Sequence, residues 1–148
     1  HFNGDFQFCE LNTDGSSGMV EARELQRIIE DSFAIKELEE QYHFIGFELF
    51  DAWVNALLEN YQQFSGGNEK PQVAIVDFFS SAIPSEFLEF QKTFEKNGCP
   101  TVVADIRKLE YREGKLYYKD FAIDCIYRRA VTWEIIENQG EVKDFIDA

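Results

Sequence analysis

Thiols, imidazoles and prolines are scarce in this chain, with three cysteines, two histidines and three prolines in 148 residues. Cys9, Cys99 and Cys125 stand apart, and no CxxC, HExxH or Cys/His cluster occurs, which excludes the usual zinc arrangements. An odd, scattered set in apolar runs reads as buried structural thiols, reduced in a cytoplasmic protein. No window approaches 18 uncharged apolar residues, and no n-region and h-region pair opens the chain, so the sequence carries no sign of a membrane span or signal peptide. GxGxxG and GxxxxGK[ST] are both missing, which removes the dinucleotide fingerprint and the P-loop. Basic residues are also few: 14 against 28 acidic ones, for a net charge of −14. That balance argues against nucleic acid and anionic membrane as partners and suits a cation or a basic partner.

Aromatic residues are plentiful, with fifteen Phe, six Tyr and two Trp, and hydrophobic residues make up 45% of the chain. This composition belongs to a folded chain of one-domain length. Asn3-Gly4-Asp5 is a tight-turn signal and the following "FQFCEL" has strand propensity, so residues 1–18 read as a strand and loop remnant. The start at His1, in a strand-like run without a methionine, gives the expectation of a piece of something longer. Residues 19–70 read as a helical segment. Val20, Leu25, Ile28, Ile29 and Phe33 recur at helical spacing, and a second run from Phe44 to Tyr61 is apolar on more than one face. "SGGNEKP" (65–71) is a connector.

Residues 71–148 change character. "QVAIVDF" is a continuous apolar run, as in a strand covered on both faces. Ser85 is placed to cap a helix whose Phe87, Leu88, Phe90 and Phe94 form one face and whose Gly98 ends it. "TVVADI" is the next strand, "LEYR-EG-KLYY" a hairpin, "FAIDCIYRR" one further strand, and "TWEIIEN" the start of a helix. The expected fold is α/β: a small Rossmann-like sheet with flanking helices, parallel through its crossover, preceded by the helical segment.

Three stretches could carry chemistry. In "FCELNTDGSSG" (8–18), residues two apart on a strand share a face, so Glu10 and Asn12 could offer hard oxygen ligands to one Mg²⁺. The "TDGSSG" loop offers hydroxyls and backbone N–H groups to a carboxylate or phosphate. The same residues also fit a plain turn, with Asp14 or Ser17 capping the helix after Met19 and Glu10 solvated. In "DCIYRR", Arg128 and Arg129 stand at the carboxyl end of a strand, where open α/β sheets bind ligands, and guanidinium groups match carboxylate or phosphate. In an acidic protein either one can instead pair with an Asp or Glu. Asp77 in "VDFFSS" ends a strand at the same edge, while His1 and His43 have no paired acid or nucleophile.

"FCELNTDGSSGM" with the acidic helix after it, followed by "VAIVDF…SEFLEFQKTFEKNGCPTVVADIRKLEYREGKLYYKDFAIDCIYRR", resembles the glutathionylspermidine synthase-like, circularly permuted ATP-grasp ligases. The resemblance runs from about residue 5 to 135, its second segment being similar to their pre-ATP-grasp domain. It implies a parent enzyme that activates a carboxylate with ATP and Mg²⁺ as an acyl phosphate, which an amine then attacks to form an amide. Carried onto this chain, it implies Glu10 and Asn12 as Mg²⁺ ligands. Ser16 and Ser17 would contact the carboxylate substrate, with Arg128 or Arg129 near it. The family's upstream R-x-D aspartate and the lysines that hold ATP phosphates have no counterpart here. This chain alone is therefore expected to be inactive and to bind neither Mg²⁺ nor ATP tightly. The alternative is a non-catalytic ligand-binding or scaffold module that keeps the fold.

Overall fold

In the computed structural model, residues 9–11, 13–80 and 84–148 are described. The fold is mixed α/β, and its centre is strand β1 (Val73–Asp77). Four successive residues of β1 are buried, which requires cover on both faces. Val73 and Ile75 point to a core shared with Phe50, Val54, Phe87, Phe90 and Phe94, while Ala74 and Val76 point to one built from Ile106, Leu116, Ile123 and Val142. β1 pairs in parallel with β2 (Thr101–Asp105) on one side and β6 (Cys125–Arg128) on the other, in the order β2-β1-β6.

Parallel neighbours need a crossover, and α4 (Ser85–Lys96) supplies it between β1 and β2. Phe87, Phe90 and Phe94 are buried, but Leu88 is 40% exposed and stands off the face expected for it. Ser85 is the first helical residue rather than the cap; Pro84 holds the N-cap position without a side-chain bond. Gly98, at φ +81°, ends the helix as expected. The Gly98 N–H donates to the Glu95 carbonyl (2.9 Å) and the Cys99 N–H to the Phe94 carbonyl (3.0 Å), the Schellman pattern.

Strands β3 (Leu109–Arg112), β4 (Lys115–Tyr118) and β5 (Phe121–Ile123) form an antiparallel meander. Glu113 and Gly114 both have positive φ (53° and 77°), as a two-residue hairpin turn requires. "FAIDCIYRR" is two strands rather than one. Asp124 separates β5 from β6, accepting the Gln72 N–H (2.9 Å) and pairing with Lys115 (2.8 Å), so the chain leaves one sheet and enters the other at a single residue.

The helical segment divides into α1 (Met19–Glu30), α2 (Phe33–Leu38) and α3 (Leu49–Ser65). Residues 42–48 carry no regular structure, and Phe44 and Phe47 are exposed rather than part of a helix. Phe50, Val54 and Leu58 of α3 enter the core with Val73 and Phe90, so this segment packs on the sheet unit instead of having a core of its own. Two short helices, α5 (Thr132–Glu137) and α6 (Lys143–Asp147), follow β6. The expected first hairpin falls largely on residues 1–8, outside the described residues. Cys9, Glu10 and Leu11 belong to no strand and are exposed, so Cys9 is not the buried thiol expected, whereas Cys99 is buried. Among the described residues no helix is long and apolar enough to cross a membrane.

Candidate functional site

From β1 the chain passes through α4 to β2 on one side, and it returns much later as β6 on the other. The sheet order therefore reverses at the carboxyl ends of β1 and β6, and such points leave a crevice in open α/β sheets. A cavity of 440 Å³ lies there, bordered by Gly15, Ser17, Asp77, Glu86, Arg129 and Glu134.

Arg129 is its structural centre. Its backbone N–H bonds the Val76 carbonyl (2.8 Å), which carries the chain past the end of β6 beside β1. Its guanidinium donates to Glu86 Oε1 (2.9 Å) and to the Tyr127 hydroxyl (2.9 Å), and it also donates to the Ser16 carbonyl. Both charged side chains are over nine-tenths buried, at 6% and 9% exposure. The guanidinium carbon lies 5.2 Å from the Phe87 ring centre and 5.5 Å from that of Tyr127, a favourable setting for a cation. Its Nε is buried without a hydrogen-bond partner among the described residues. Glu86 also reaches the start of α1, where its Oε2 accepts the N–H groups of Gly18 (2.9 Å) and Met19 (2.8 Å). The first turn of α1 thus receives its carboxylate from α4, 67 residues further along the chain, where charge favours the helix dipole.

This arrangement answers what the small polar loop before α1 does. Neither Asp14 nor Ser17 caps α1, whose N-cap position is held by Gly18, a residue with no side chain to cap with. Asp14 instead accepts the N–H of Thr132, the first residue of α5 (2.9 Å), and pairs with Arg128 (3.0 Å). Those contacts hold its carboxyl below the usual range, the backbone bond from Thr132 being the largest cause. Gly15 (φ +64°) sits so close to the end of β6 that a Cβ there would lie 2.8 Å from the Arg129 carbonyl oxygen and 2.6 Å from Val131 Cγ1. Only glycine satisfies both the dihedral and the approach.

The opposite wall is acidic. Burial pushes the Asp77 carboxyl up, against the Phe78 N–H (2.9 Å) and nearby Arg129, which favour its charge. Burial also raises Glu134, helped by the negative charges of Asp77 and Glu137. With Glu21 on the rim, the cavity carries three carboxylates besides the Glu86–Arg129 pair. On the other side of Arg129 a smaller cavity of 250 Å³ is lined by Ser16, Trp53, Tyr127 and Arg128. Trp53 and Tyr127 lie against each other there, tilted by 36° with 4.0 Å between ring centres.

The structure therefore brings Ser16, Ser17, Arg128 and Arg129 together from opposite ends of the chain, although both arginines already have acidic partners. Of the two expected metal ligands, only Glu10 lies among the described residues. Glu10 is exposed, Asn12 lies outside the described residues, and among the described residues no three His, Cys, Asp or Glu are grouped so as to hold a metal ion. His43 is exposed. Glu86 and Glu134 were not legible as site residues: an acid in a first helical turn reads as dipole complementation and nothing more. Compared with family models, curated proteins and solved structures, the chain matches none.

Proposed function

We propose that this chain is part of an ATP-dependent carboxylate–amine ligase of the glutathionylspermidine synthase-like kind, its sheet unit being the Rossmann-like pre-ATP-grasp domain. The observation that supports the reading is the docking of the 13–18 loop on the Arg128–Arg129 strand end, 113 residues away, around paired cavities. These are the two stretches that the resemblance assigns to substrate.

The cavities differ in charge, and that difference divides the two substrates. The larger, with Glu21, Asp77 and Glu134, suits the cationic amine. The smaller, with Arg128 and Ser16, suits the carboxylate. Arg129 and Glu86 form the partition, each satisfying the other's charge. Neutralising the amine before it attacks requires a proton acceptor, and the raised Asp77 and Glu134 carboxyls are the groups placed to be one. Mg²⁺ and ATP would supply carboxylate activation in the whole protein, and the lysines that hold ATP phosphates would lie outside this chain.

The test is ADP release by the whole protein with Mg²⁺, ATP, a carboxylate and an amine, beginning with glutathione and spermidine. The reading expects release that needs both organic substrates. Asp77→Asn should raise the KM for the amine and leave that for the carboxylate. A second reading, a non-catalytic binding module, draws on the fact that Arg128 and Arg129 are both neutralised internally. It expects no ADP release with any substrate pair, together with retained binding of the amine alone in this chain.

A further inference from the structure

We infer that the groove between α1 and residues 44–47 is a docking site for a basic, apolar-faced amphipathic helix. The groove has a volume of 390 Å³ and is lined by Ala22, Leu25 and Ile29 of α1 together with Ile35, Phe44 and Phe47. Met19 and Val20 anchor the start of α1 in the core, but no residue of that helix is fully buried. Nine large apolar or aromatic side chains between Leu25 and Phe47 are at least 42% exposed. Singly exposed apolar residues are ordinary, whereas a contiguous apolar groove of this kind marks an interaction surface. Its wall is held in place: the Phe47 N–H donates to Gln26 Oε1 (3.4 Å), and Gln26 Nε2 to Glu30 (2.9 Å).

Charge identifies the occupant. Residues 21–48 contain eight acidic and three basic residues. Two of the three basic residues are engaged, Arg23 by Glu89 and Glu24, and Arg27 by Glu24. A second copy would bring the same acidic rim against itself in a chain of net charge −14. Such like-charge contacts oppose association, whereas Lys and Arg flanking an apolar face complement the rim. Ala22, Leu25 and Ile29, at i, i+3 and i+7, form a ridge along α1, which is the geometry that receives the ridge of another helix.

Three synthetic helices titrated into the purified chain test this: a 14-residue Leu/Lys amphipathic peptide, its Leu/Glu counterpart, and a scrambled Leu/Lys peptide of identical composition. The Leu/Lys amphipath is expected to bind at least tenfold more tightly than either control. Leu25→Asp and Ile29→Asp should each weaken that binding at least tenfold without changing the circular dichroism spectrum, because both side chains are over half exposed. Ile136→Asp, exposed elsewhere, should not change it. Equal binding of the scrambled peptide would reduce the effect to overall charge, and equal loss in Ile136→Asp would place the binding outside this groove; either result would overturn the proposal. So would a dimer in sedimentation that Ile29→Asp dissolves, since the occupant would then be a second copy.

Discussion

Arg128 keeps a third of its side chain in solvent, whereas its neighbour Arg129 keeps 6%. At the end of β6 one guanidinium reaches the partly exposed Asp14 and the other the buried Glu86. The energetic consequence is large. Removing either member of the buried Arg129–Glu86 pair leaves an uncompensated charge in a poorly solvated place, which costs about 3–5 kcal/mol. The partly exposed Arg128–Asp14 pair contributes no more than about 1 kcal/mol. Arg129→Ala and Glu86→Gln are therefore each expected to lower the denaturation midpoint strongly, and Arg128→Ala to move it little, in a urea titration. Equal effects of Arg128→Ala and Arg129→Ala would show that the pair is not desolvated in solution. Both arginines stood out in the sequence because they end an apolar strand. Glu86 did not, and Asp14 stood out only as a possible cap, because they lie 43 and 114 positions away, and pairing over such separations is a property of the fold.

Elements were readable where local chemistry decides them. β1 was legible from an unbroken apolar run, the hairpin from Glu113-Gly114, and the end of α4 from Gly98. Where tertiary contacts decide, the sequence misleads: Phe44 and Phe47 look like a buried helical face but lie outside any helix, and Asp124 cuts an apolar run through its bonds to Gln72 and Lys115. The 13–18 loop combines both cases. Its glycines announce a turn, but what Gly15 is for depends on the strand end it rests upon. Two glycines separate the contributions. Gly98 has positive φ with open space around it, so Gly98→Ala incurs only the left-handed backbone cost, about 1–2 kcal/mol. Gly15→Ala incurs that cost and must also lift the loop off the Arg129 carbonyl. It is expected to destabilise more than Gly98→Ala in thermal melts, and to speed amide exchange at Gly18 and Met19, whose N–H groups bond Glu86. Unchanged exchange at those two amides would mean the loop is not held through Gly15.

Across the whole molecule, acidic excess and buried carboxylates set how stability responds to pH, and individual groups pull in opposite directions. Asp105 is held below its ordinary value, first by its bonds to the Arg107 side chain (2.6 and 2.9 Å) and also by the Arg107 N–H (3.0 Å). A carboxylate depressed on folding contributes stability that is present above the unfolded value of 3.8 and is lost as pH falls through the lower folded value. Asp124, Asp51 and Glu89 are depressed too, Asp51 and Glu89 chiefly by bonds to lysine and Asp124 by its bonds to Lys115 and Gln72, which outweigh its burial. Asp77 has the reverse sign. Its folded value is raised above 3.8, so between the two values the native state holds the extra proton and stability falls as pH rises through that window. Substitution by asparagine isolates each group. Asp105→Asn should lower the melting temperature at pH 7, with the difference from wild type shrinking below pH 3.8. Asp77→Asn should raise the melting temperature at pH 7, where partial burial disfavours the charge of the wild-type carboxyl, and the gain should shrink as pH falls toward 3.8. The Asp77 effect should survive added salt better than the general repulsion among exposed acids, because its charge is partly shielded from the ions that screen the surface. A gain in Asp77→Asn that is constant from about pH 3.5 to pH 7 would trace it to packing instead. Asp77 would then be unsuited to accept a proton from a cationic amine, and that role would pass to Glu134 alone.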